Sequence, residues 1–219
     1  MLSRNAGLLL IIAAALFWLS WLLMPGVGVT GAAQIFELVA RKRWSVMLSV
    51  ITQLLSAALY IPALLGISYE TDQASNAGIR WGIGLLLLGA MGSAIDAVFH
   101  LVAYAMTMPG LEPDSLLKVM VFMQGPGLRI VAPFILGFFV GGIFLSIALA
   151  RNGAVSKASA YMYLLMLAIA VVGGAAASAG LLPSRIVGLS VLGAVSISQV
   201  LIGFELSRNH RRAAFSVNS

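Results

Sequence analysis

Six apolar runs, each about as long as a lipid bilayer is thick, constrain this chain more than any other feature. A helix needs about 20 predominantly apolar residues to cross a hydrocarbon core. Runs of that kind lie at roughly 7–24, 45–67, 81–107, 126–150, 159–181 and 185–206. In lipid the backbone must satisfy its own hydrogen bonds, which leaves helices or closed barrels. Barrel strands are short and alternate apolar with polar residues, and these runs do neither. Composition agrees: 61% of the 219 residues are hydrophobic and 9% are charged, with a mean hydropathy of +1.03. A soluble domain carries about 25% charged residues. The expectation is one all-α domain over residues 1–219: a polytopic bundle of six transmembrane helices with one or two short interfacial helices.

The first run follows Arg4 and could be mistaken for a secretion signal. At about 18 residues it exceeds the usual apolar core of such a signal, so it reads as a span doubling as an uncleaved anchor. Two connecting stretches carry helical signals of their own. In 26–43, Ile35, Leu38 and Val39 recur at helical spacing around Glu37 and end in a basic cluster, as an interfacial helix would. In 112–124 (EPDSLLKVMVFMQ), Pro113 and Asp114 form a helix start. The run Gln124-Gly-Pro-Gly127 is expected to break that helix before span four. Trp18, Trp21, Trp44 and Trp81 sit at span ends, where indoles favour the headgroup level.

The formal net charge is +6, but the cations lie at the ends of the runs, where they meet lipid headgroups. No basic face interleaved with aromatics exists, so nucleic acid is not an expected partner. With no cysteine, disulfides and thiolate chemistry are excluded. With the N-terminus cytoplasmic, Arg4, Arg80, Arg151, Lys157, Arg208, Arg211 and Arg212 fall inside. Arg41, Lys42, Arg43, Lys118, Arg129 and Arg185 then fall outside. Seven against six is a narrow balance, and the expectation is that both termini are cytoplasmic, in a bacterial inner membrane.

Chemistry concentrates in the third run. Gly89, Ser93, Asp96, His100, Tyr104 and Thr107 follow at spacings of four, three, four, four and three, which places them on one helix face. An ionisable group within the bilayer costs at least about 2.5–3.5 kcal/mol on insertion scales, and it usually faces the bundle and pairs. Asp96, His100, Tyr104 and Ser93 therefore form a candidate intramembrane polar site. Arg129, just inside span four, is a further member: it could pair with Asp96, bind a lipid phosphate or snorkel. The plain alternative is a buried Asp–His hydrogen bond that fixes packing. Gln53, Ser178, Ser196, Ser198 and Gln199 read as hydrogen-bonding residues between helices.

A haem or copper at His100 would need further ligands. The other histidine, His210, lies in the basic tail, and Met106, Met108, Met120 and Met123 offer thioethers of a kind that more often fill cores. No nucleophile elbow, phosphate loop or metalloprotease motif is present. Small-residue motifs are plentiful. Gly137-x-x-x-Gly141 and the run GGAAASAG, with Gly173, Gly174 and Gly180, let helix backbones approach closely, either within the chain or against a partner.

The basic cluster and run RKRWSVMLSVITQLLSAALYIPALLGI, and the turn in LSIALARNGAVSKASAYMYLL, give a layout that resembles bacterial six-span membrane proteins known only as domains of unknown function. The resemblance implies a fold and no chemistry. Two functions follow as expectations. One is a non-catalytic subunit of a larger membrane complex, held to a membrane-protein partner or a second copy. The other is a protein that binds or translocates an intramembrane ligand, ion or proton through Asp96 and His100.

Overall fold

The computed structural model describes the backbone of residues 5–70, 76–110 and 112–216, and their side chains except at Glu70, Pro113 and 209–216. Arg4 and Asp72, and the side chains of Glu70, His210, Arg211 and Arg212, lie outside the described residues. Eight α-helices account for nearly all of the described chain: α1 Ala6–Leu23, α2 Ala32–Arg41, α3 Arg43–Glu70, α4 Ala77–Ala105, α5 Pro113–Phe122, α6 Leu128–Arg151, α7 Lys157–Ser178 and α8 Ser184–Ser216. Six stretches are long and apolar enough to span a membrane: Ala6–Leu23, Arg43–Tyr69, Ala77–Ala105, Asp114–Arg151, Lys157–Ser178 and Ser184–Arg208. The protein is an all-α integral membrane bundle, and its natural environment is the lipid bilayer.

The expected helix in 26–43 is α2, which buries Ile35 and Val39 against the ends of α3, α4 and α5. The expected break before span four is absent. Met123–Gly127 forms a π-helical turn that joins α5 to α6, so the helical path continues. Pro126 has no N–H to give to an ordinary helical turn. The wider turn passes it, and the Leu128 N–H reaches back five residues to the Met123 carbonyl. Such turns are the usual way a helix absorbs a local misfit.

The spans close into a ring. Each of α1, α3, α4, α6, α7 and α8 packs on the next in that order, and α8 returns to α1. Lipid tails are as apolar as leucine, so burial of side chains does not by itself hold such a ring together; close packing and interhelical hydrogen bonds do. The α4–α6 seam is built of glycine. A Cβ at Gly89 would fall 2.4 Å from the Phe138 Cα, and one at Gly141 would fall 2.6 Å from the Leu86 nitrogen. Gly137 also faces α4, across from the Leu85 carbonyl. The α1–α3 seam is built of serine. Ser49 Oγ donates to the Ser20 carbonyl at 2.7 Å, Ser56 Oγ to the Ala13 carbonyl at 2.8 Å, and Ser45 Oγ to the Leu23 carbonyl. Where α8 begins, the Arg185 guanidinium donates to the carbonyls of Leu22, Met24 and Pro25. It thereby caps the orphan carbonyls at the C-terminal end of α1, where a cation is favoured.

The middle of the ring is filled, with aromatic side chains at its centre. The rings of Phe17 and Phe138 stack with centroids 4.8 Å apart, and Tyr60 meets Phe138 edge-on at 5.2 Å. A second apolar cluster beneath α2 and α5 gathers Met24, Met106, Met120 and Met123 with Val46 and Ala103.

Of the glycines in 173–180, Gly173 faces Val187 of α8, whereas Gly174 and Gly180 have no atom within 4 Å of a built Cβ. Those two do not pack helices within the chain. Gly180 instead turns the chain after α7, with φ +73°, a conformation glycine adopts without strain.

Candidate functional site

The polar stripe of α4 meets Gln53 of α3 inside the bundle. Gln53 Nε2 donates to Asp96 Oδ2 at 2.9 Å and lies 3.4 Å from Ser93 Oγ. All three side chains are buried. His100 stands one turn beyond Asp96, with Nδ1 3.7 Å from Asp96 Oδ2, a pairing distance too long for a direct hydrogen bond. That nitrogen is buried and has no hydrogen-bond partner among the described residues. The Trp21 indole of α1 stands edge-on to the imidazole, with centroids 6.1 Å apart, and its Nε1 is likewise buried without a partner.

Beside Gln53, Ser93 and Asp96 lies a cavity of about 30 Å³ whose accessible surface is apolar, lined also by Phe17, Trp21 and Phe138. That is about the volume of one or two waters, with no polar atom at its surface. Buried polar groups in folded proteins nearly always find partners. Two donor-capable nitrogens without one, close to a buried carboxyl, mark a place in the bundle where hydrogen bonding is left incomplete.

Helical geometry accounts for the convergence. Ser45, Ser49 and Ser56 turn towards α1, and Gln53, one turn from Ser49, turns towards α4. Gly89, one turn from Ser93 on the same α4 face, brings α6 close enough for Phe138 to wall the cavity.

The remaining sequence candidates fall elsewhere. Tyr104 carries the Arg43 guanidinium 4.9 Å above its ring, and Thr107 lies past the end of α4, donating to the Tyr104 carbonyl. Arg129 is exposed and forms no ion pair with Asp96. Of the methionines considered for copper, Met106, Met120 and Met123 are core residues, whereas Met108 is 47% exposed. Among the described residues no three His, Cys, Asp or Glu side chains gather as a metal would need. Trp21 is not the interfacial marker its position suggests, because it turns inward over His100. Trp44 and Trp81 do lie exposed.

Gln53 and Trp21 are the two members that sequence reasoning passed over as site residues. A signal for Gln53 existed: it is an amide in an apolar run, at nearly the depth of Asp96 when both helices are measured from the same end of the bundle. For Trp21 nothing distinguished an inward indole from an interfacial one. No protein family, curated protein or solved structure matches the chain.

Proposed function

We propose that this protein binds a proton at the Asp96–His100 site inside the membrane. One observation carries the reading: a buried carboxyl bonded to Gln53 lies beside an unpartnered imidazole nitrogen and in reach of an unpartnered indole nitrogen on α1. A carboxyl retained only to fix packing would be expected to have its surroundings satisfied by direct partners, as the α3 serines are. Asp96 and His100 are the proton-exchanging pair in this reading; Gln53 positions the carboxyl and Trp21 the imidazole. Infrared difference spectra of the protein in lipid nanodiscs test it. A carboxylic-acid band that grows as pH falls is expected in the wild type and missing from Asp96→Asn. Identical spectra for the two would end the proposal.

A second reading, membership of a larger membrane assembly, is favoured by α7. Buried residues make up 17% of its apolar window, against 33–56% for the other spans, and Gly174 faces open space. The partner is a second membrane protein or a second copy of this chain. We further place the protein in a bacterial inner membrane with both termini cytoplasmic. The chain has no native cysteine, so Lys157→Cys should react with an impermeant maleimide from the cytoplasmic face alone. Reaction from the opposite face alone reverses the orientation.

A further inference from the structure

We propose that the Asp96 site is one half of a proton path across the membrane, closed at its middle by the Phe17–Phe138 ring pair. The inference rests on Asp96 binding a proton.

The second half lies on the other side of those rings. Phe17 and Phe138 both wall the Asp96 cavity, and the far side of Phe138 carries Tyr60, edge-on at 5.2 Å. Tyr60 is seven residues along α3 from Gln53, about 10 Å further through the bilayer at 1.5 Å per residue. Its hydroxyl donates to Gln199 Oε1 of α8. Beside them the Tyr163 hydroxyl donates to the Phe138 carbonyl at 3.2 Å and lies against the Gln199 amide. Tyr60, Tyr163 and Gln199 are all buried, yet the neighbouring Ser196 Oγ has no partner among the described residues. One turn before Tyr163 on α7, Ser159 Oγ donates to Glu205 Oε1 at 2.7 Å. Ser156 completes that carboxylate's shell through its hydroxyl and its backbone N–H.

Polar groups thus run from His100 and Asp96, through Gln53 and Ser93, to the ring pair. They resume as Tyr60, Gln199, Tyr163, Ser159 and Glu205 on the way to the opposite face. Orphaned polar atoms lie on both sides of the rings. The rings leave no aqueous pore between the two halves. A proton passes by exchange of hydrogen bonds and needs only a water bridge when the rings part. Asp96 accepts the proton on its carboxylate and becomes neutral. It returns to the carboxylate when that proton leaves towards Tyr60.

Few charges compete. The groups facing Asp96 from α1, α3 and α6 are Trp21, Gln53 and the Ile135–Phe139 segment, all uncharged; His100 on its own helix is the titratable neighbour. Glu205 has Arg208 of its own helix beside it and the two α7 serines across from it.

The test uses the full chain in liposomes holding a trapped pH dye, with a potassium–valinomycin potential driving protons. Wild type should discharge the potential into a pH change well above that of protein-free vesicles. Asp96→Asn and Tyr60→Phe should both fall to the protein-free level. Tyr60→Phe keeps the ring, so its infrared Asp96 band and thermal midpoint should stay close to wild type, which separates a blocked path from a lost site or a lost fold. Wild-type vesicles no leakier than empty ones, or Tyr60→Phe conducting like wild type, would overturn the path. In either case an Asp96 band still present leaves the binding reading standing, and its absence removes both.

Discussion

A single carboxyl sets the energetics of the site. Asp96 is taken out of water at a cost that only a partner can offset, and Gln53 supplies a direct donor at 2.9 Å. Hydrogen bonds to charged groups are worth about 1.5–3 kcal/mol, and an unsatisfied buried partner costs about 1–3 kcal/mol. Asn at position 96 still offers an amide oxygen to Gln53 Nε2. The variant that removes titration should therefore keep its unfolding free energy in nanodiscs within about 1 kcal/mol of wild type. A far larger loss would mean that the charge itself holds α3 to α4. The α4 stripe was legible before the structure because six residues shared one face. Its partners were not. Gln53 is 43 positions away, and no periodicity within α4 says which neighbouring helix will present an amide. The same limit left Arg129 open between pairing with Asp96, binding a lipid phosphate and snorkelling, and left Glu205 unremarked.

At the level of elements, seams rather than propensities hold the spans together. At Gly89 and Gly141 the contacts between α4 and α6 are so close that an added Cβ must move a backbone. Gly89→Ala forces the Phe138 backbone away, and overpacking of this sort costs about 1–3 kcal/mol. Gly84 lies on the same helix with nothing within 4 Å of a built Cβ. Gly84→Ala should be neutral or stabilising by up to about 1 kcal/mol, since glycine is the poorer helix former. Chemical unfolding of the two variants side by side checks this, and equal effects would mean the seam is not rigid. The GxxxG of α6 was visible as a motif, but its partner was not, because small residues suit any close neighbour. The π-turn was misread as a break because Gly-Pro-Gly weakens an isolated helix. Within a membrane, an interruption of the backbone ladder must be resolved internally, and widening one turn does so.

For the whole molecule, ring closure leaves 33–56% of the apolar window buried in five of the six spans and only 17% in α7. If the outer face of α7 meets a protein, the gently extracted native particle should contain more than one chain. Gly174→Leu, at a position open within the chain, should then reduce it to a single chain without lowering its thermal midpoint. A wild-type particle containing one chain ends that reading. The number of spans, their order and the all-α class followed from the amino-acid string alone. Apolar length and the need to satisfy every backbone hydrogen bond in lipid are local, one-dimensional requirements. Which helices touch was a different matter. Six apolar cylinders in an apolar solvent have no hydrophobic reason to prefer one neighbour. The choice fell to surface shape and a few polar atoms: glycine against backbone, serine hydroxyl against carbonyl, the Arg185 guanidinium over the end of α1. Those contacts join residues far apart in the chain, so the meeting of Gln53, Asp96 and Trp21 came from the folded bundle.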